Sequence, residues 1–182
     1  MAEEWPKIRA QRTTPVSPWI KLIEREVEFS PGAMPEFYHA VGQADYLAIV
    51  AVTPARKIPI VRQFRPAVEA FTWELPAGHV EYNDPTESCR RELLEETGLP
   101  ARSLILMGKT SPCTGRLSNR IYSFFVEAGD QISPFVAEPG LSVKMVDPAE
   151  LVALIKGGEF VSQLHLGALM LAELQGYLRL PR

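Results

Sequence analysis

Cysteine is nearly absent. Only Cys89 and Cys113 stand in the 182 residues, with no spacing suited to a metal centre and no basis for a disulfide framework. Cys89 falls in an acidic helical segment and reads as a small buried residue, Cys113 as a loop residue. Positive charge is not in excess either. Lys+Arg number 19 against 22 Asp+Glu, a formal net charge of -3 that offers no basic footprint to a nucleic-acid polymer. No apolar run reaches the length of a membrane span, and the acidic start Met1-Ala2-Glu3-Glu4-Trp5 lacks the apolar core of a signal peptide, so a cytoplasmic protein is expected. Internal repeats and low-complexity tracts are missing as well. What remains is a chain of 46% hydrophobic residues, long enough for a real core.

What stands out is Arg91-Glu92-Leu93-Leu94-Glu95-Glu96-Thr97-Gly98-Leu99, thirteen residues after Ala77-Gly78. On a helix, positions three and four apart share a face, so Glu92, Glu95 and Glu96 crowd together and repel. Either solvent screens such a face, or a hard cation turns repulsion into coordination. The helix has marked ends. Asp84-Pro85-Thr86-Glu87 offers an N-cap oxygen, a proline at the first helical position and a glutamate three residues after the cap. Gly98 offers the left-handed C′ position. Leu93 and Cys89 form an apolar stripe, and Arg91 reaches Glu95 at i,i+4.

Elsewhere, residues 1 to about 18 are charged and proline-rich and read as an irregular arm. Strands are predicted over Trp19 to Phe29, Phe37 to Val41, Leu47 to Val52, Ile58 to Phe64 and Phe71 to Leu75. Pro76-Ala77-Gly78 reads as a turn. Further strands follow near Leu104 to Gly108, Ile121 to Val126 and Leu141 to Val146. A short helix opens at Asp147-Pro148-Ala149-Glu150, and Ser162 caps a last one to about Leu178, amphipathic through Leu166, Leu169, Met170 and Leu174. Mixed strands with separated helices indicate an α/β/α sandwich rather than a doubly wound parallel sheet.

At the acidic segment the chain resembles the Nudix hydrolase family, whose signature is Gly, five residues, Glu, seven residues, then Arg-Glu-aliphatic-any-Glu-Glu-any-Gly-aliphatic. Arg91 to Leu99 matches every fixed position of the second half. The first half departs: Asn83 stands where the glutamate belongs and Gly78 is one residue too close, a deletion repaired most simply with Asp84 in the glutamate's place. The resemblance implies a Nudix-type α/β/α sandwich with a mixed sheet and an N-terminal β-hairpin, divided as an arm and hairpin over 1–45 and a hydrolase domain over 46–182. It implies Mg²⁺, with Mn²⁺ as an alternative. Glu92 and Glu96 lead the ligands, joined by Glu95 and the Ala77 carbonyl, for hydrolysis of a nucleoside diphosphate linked to another group.

Beyond the box, Val61-Arg62-Gln63-Phe64-Arg65-Pro66 with Trp73-Glu74-Leu75-Pro76-Ala77-Gly78 is similar to the ADP-ribose pyrophosphatase subfamily. Ser111-Pro112-Cys113-Thr114-Gly115-Arg116-Leu117-Ser118-Asn119 looks like that subfamily's substrate loop. Arg65 is the implied phosphate contact, against a strand arginine making no specific contact, and Gly115 and Ser118 are implied substrate contacts. Glu138, in the loop before the last sheet strand, is the implied general base, with Glu95 and Arg91 completing the catalytic set. The resemblance also implies a homodimer in which the hairpin crosses to a second subunit and presents Trp19 and Tyr38 to the nucleobase. Trp5 and Trp73 read as packing residues. His79 lies in the box loop near the implied phosphate site, whereas His39 and His165 carry less functional weight. A catalytically weak, nucleotide-sensing domain is the competing reading, motivated by the shortened loop.

Overall fold

A computed structural model describes residues 5–181; the reading of the Met1–Glu4 start lies outside the described residues. The chain divides into two compact units, one of 1–44 with 111–120 and one of 45–110 with 121–182.

The first unit is an antiparallel sheet in the order β1 (Lys7–Pro15), β2 (Lys21–Glu28), β3 (Glu36–Gly42). The predicted hairpin is β2–β3, but the predicted irregular arm is largely a strand. Its polar sequence hid it, because β1 is exposed along almost its whole length and needs no apolar face. Its register rests on backbone pairing and on opposite charges: Lys7 stands opposite Glu28 and Arg12 opposite Glu24, and Arg9 pairs with Glu28. Segment 111–120 adds to the free edge of β3. Val41 and Leu117 form a parallel bridge, in which the Val41 N–H donates to the Arg116 carbonyl at 2.7 Å and the Ser118 N–H to the Val41 carbonyl at 3.1 Å.

In the second unit the central strand is β4 (Tyr46–Val52), an apolar run buried on both faces. Successive side chains of a strand point to opposite sides. Leu47, Ile49 and Ala51 therefore pack with Cys89 and Leu93 of α1 (Pro85–Thr97), while Ala48, Val50 and Val52 pack with Ala168, Leu169 and Ala172 of α3 (Gln163–Leu174). One sheet between two helices is the expected α/β/α sandwich. That sheet joins β7 (Ala77–His79) antiparallel to β4, β4 parallel to β9 (Ile121–Ala128), and β9 antiparallel to β8 (Ala101–Thr110). A second sheet pairs β5 (Ile58–Arg65) antiparallel with β6 (Ala70–Glu74) and β10 (Ser142–Val146). Helix α2 (Pro148–Lys156) starts where Asp147 accepts the Glu150 N–H at 2.8 Å.

Two expectations change here. The predicted turn over Ala77-Gly78 is the three-residue strand β7, too short to show a period of its own. Helix α3 ends at Leu174, Ser162 makes no side-chain cap bond, and the buried face runs through His165, Ala168, Leu169 and Ala172. Met170 and Leu174 are exposed. The i, i+3, i+4, i+7 stripe begins on a histidine and uses two alanines; of the predicted face Leu169 is buried and Leu166 packs against the core, while Met170 and Leu174 drew its far end toward solvent.

Candidate active site

The site is built where α1 meets the β6–β7 turn. Asp84 caps the helix by accepting the Thr86 and Glu87 amides, and Gly98 closes it at φ 70°. The loop that leads into the helix carries two consecutive left-handed residues, Tyr82 and Asn83. Asp84 is thus occupied as a cap. The acidic loop partner of Arg91 is Glu81, at 3.3 Å, a residue that the motif's spacing did not indicate. Arg91 also reaches Glu92 at 2.9 Å and Glu95 at 3.5 Å, so it braces three carboxylates.

Glu96 is buried, and the Ala77 N–H donates to its Oε2 at 3.0 Å. Burial pushes its carboxyl up to about 8, outweighing the Ala77 amide, with Glu92 and Glu138 adding negative charge. Burial likewise raises Glu92 to about 7 against the pull of Arg91. Gly78 sits directly over Glu92: a Cβ there would lie 2.2 Å from Glu92 Cδ. Only a residue without a side chain lets the β7 backbone and this carboxylate approach so closely. Glu95 is about half exposed, on the outer side of the cluster. Glu138 is close enough to act on both Glu92 and Glu96, and Arg65 on Glu96.

Arg65 makes a specific contact, but with protein. Its Nε donates to Glu74 Oε1 at 2.9 Å and its Nη2 to Oε2, while Thr72 Oγ1 donates to Glu74 at 2.7 Å. Burial pushes the Glu74 carboxyl up, yet these hydrogen bonds outweigh it and hold the group below its usual range. His165 completes the network: it is buried, Nδ1 accepts the Leu75 N–H at 3.3 Å, and burial lowers its pKa to about 4, so the ring is neutral. Neither Glu74 nor His165 was picked out from the sequence. The i, i+2 relation of Thr72 and Glu74 was the available signal, since it puts both on one face of β6.

The other candidates belong to the first unit. Trp19 is 72% exposed and lines a cleft of about 340 Å³ with Thr13, Pro15 and Gln43. Tyr38 and Gly115 line another of about 420 Å³ with Arg25, His39 and Arg116. Ser118 contributes its backbone to the β3 edge. Of the remaining residues, His39 bonds Glu24 at 3.1 Å and His79 packs edge-on against Tyr46. Cys89 is buried, its thiol pushed up to about 12 by burial, and Cys113 is exposed. Trp73 packs against the core, and Trp5 lies under Lys7 and Arg9.

The second unit is thus a mixed α/β/α sandwich whose first helix turns a buried and a half-buried carboxylate toward a glycine-bearing strand turn. Residues 44–164, more than half of the chain, match the NUDIX domain model, and the chain belongs to that family. A protein described as ADP-ribose pyrophosphatase from Bacillus subtilis is 32% identical over 59% of this chain and 51% of its own length. Another, named methanol dehydrogenase activator, from Bacillus methanolicus, is 33% identical over 51% of each. The chain spans about half the length of these curated relatives. A crystal structure of an ADP compounds hydrolase shares the fold, with a TM-score of 0.76 over 98% of this chain and 100% of that one at 20% identity. Among the described residues no helix is long and apolar enough to cross a membrane.

Proposed function

We propose that the chain hydrolyses the diphosphate bond of ADP-ribose or a similar nucleoside diphosphate sugar, giving a nucleoside monophosphate and a sugar phosphate with the help of a divalent cation. The observation that carries this reading is the pair of incompletely neutralised carboxylates, buried Glu96 and half-buried Glu92, held against Ala77 and Gly78. Among the described residues no three His, Cys, Asp or Glu side chains converge to hold an ion alone. Mg²⁺ needs no all-protein cage, since it keeps several waters and takes carboxylates together with substrate phosphates. Glu92, Glu96 and the Ala77 carbonyl would hold it, with Glu95 as a further ligand. When bound, such a cation neutralises diphosphate charge and acidifies water.

The chain's own residues then divide the work. Glu138 accepts the proton of the attacking water. Arg65 has five N–H donors, of which Glu74 takes two, and offers others to a phosphate oxygen from a fixed orientation. Arg91 aligns Glu92 and Glu95. Trp19 and Tyr38 supply aromatic faces for the nucleobase, each worth roughly 1 to 3 kcal/mol, in a homodimer whose hairpins serve partner sites.

A second reading, nucleotide binding with weak turnover, is favoured by the likeness to a protein named as an activator of another enzyme. Phosphate-coupled turnover of a nucleotide-sugar panel, with and without Mg²⁺, separates the two, since binding without turnover supports the second. In the first, Glu96→Gln folds and loses most activity, because it keeps the volume and removes a charged oxygen. Near wild-type turnover at saturating Mg²⁺ would discard the ligand assignment.

A further inference from the structure

The Leu75–Pro76–Ala77 turn is held at three points. The Ala77 N–H donates to Glu96, the Pro76 carbonyl accepts the Ile49 N–H at 2.9 Å, and the Leu75 N–H donates to Nδ1 of His165. The first two ties come from α1 and β4. The third comes from α3, ninety residues further along the chain. Leu75 is wholly buried, so without this imidazole its amide would be left unpaired with no water to turn to, which is unfavourable. The turn would move to relieve it. Nδ1 also stands 3.9 Å from Glu74 Oε2, an oxygen that holds the Arg65 guanidinium. Because Nδ1 is the acceptor, the ring proton belongs on Nε2 and the ring is uncharged beside Glu74.

We propose that His165 is a positioning residue for the diphosphate site: from α3 it fixes the turn that brings Ala77 to Glu96 and borders the carboxylate that aims Arg65. This rests on the hydrolase reading and adds to it a requirement for an acceptor at one defined atom, Nδ1. The ring bonds the Leu75 amide and stands beside Glu74, and so acts through the turn.

The requirement separates two substitutions of similar size and polarity. Asparagine places its carbonyl oxygen where Nδ1 stands; glutamine carries it out to the position of Nε2. The test is Mn²⁺ binding to the full chain without nucleotide, by calorimetry, alongside kcat and KM for ADP-ribose. His165→Gln raises the Mn²⁺ dissociation constant roughly tenfold, in the range of losses seen when groups that orient metal ligands are removed, and lowers kcat. His165→Asn restores most of both. If both variants bind Mn²⁺ like the wild type, or both weaken it equally, the proposal is overturned while the hydrolase reading stands. If the wild-type chain neither binds Mn²⁺ nor turns over any nucleotide sugar, the hydrolase reading fails and takes the proposal with it. Should either variant not fold, hydrogen exchange in the wild-type chain decides. The Leu75 amide is then as protected as those of β4, and rapid exchange there overturns the assignment.

Discussion

At the scale of single residues, Gly78 makes the sharpest prediction. The atoms a Cβ would strike belong to the end of the Glu92 side chain, which can swing aside without disturbing backbone. Gly78→Ala therefore changes the thermal midpoint little while turnover falls by about an order of magnitude or more, by analogy with losses from mispositioned metal ligands. Parallel melting curves and kinetics check this, and a loss of stability matching the loss of rate would count against it. His165 supplies a pH prediction. Its folded pKa lies near 4 and its ordinary value near 6.5, so between these the unfolded chain binds the extra proton. Its contribution is complete above about 6.5 and is lost as pH falls toward 4, by at most on the order of 3 kcal/mol. Denaturant titrations of wild type and His165→Asn at several pH values isolate this term. The wild type loses its advantage on acidification, and a constant difference would refute the buried neutral ring.

At the scale of elements, α1 is specified from both ends. Gly98 is left-handed, donates to the Leu94 carbonyl at 2.8 Å, and leaves no room for a Cβ, which would come within 2.6 Å of the Phe135 ring. Gly98→Ala costs at least roughly 1–2 kcal/mol from handedness alone, more once Phe135 is displaced, as chemical denaturation would show; a smaller cost would mean that the helix end relaxes. These ends were legible in the sequence because caps are local chemistry. So were β4, β5 and β9, whose apolar runs announce burial. The strand β1 was not, since an exposed polar strand carries no hydrophobic period, and the buried side of α3 was read only through Leu166 and Leu169, because alanine and histidine can also face a core. Within the site, the glutamates of α1 were legible from helical spacing. The Glu81 pairing with Arg91 was not, because two left-handed residues fold the loop back in a way that spacing does not record. The Arg65–Glu74–His165 network joins β5, β6 and α3, and only the tertiary fold brings those together.

At the scale of the whole molecule, the first unit exposes Trp19, Ile20, Leu22, Phe37 and Tyr38 on β2, β3 and the residues before them. A second copy is the proposed cover. Light scattering of the chain at micromolar concentration should report twice the mass of 20.3 kDa, and a fully active monomer would reject the dimer. Trp19→Ala should mainly raise KM if stacking serves ground and transition states alike. The parallel pairing of Val41 with Leu117 has a consequence for biosynthesis. Gln43 and Asn119, which bond beside it, are 76 residues apart in sequence, so a growing chain makes β1 to β3 early but receives their last edge only after β4 to β8 have emerged. During that interval β3 presents open backbone donors and acceptors to any neighbouring nascent chain. Translation speed between residues 44 and 117 thus sets how long the unit first synthesised remains unfinished and open to mispairing.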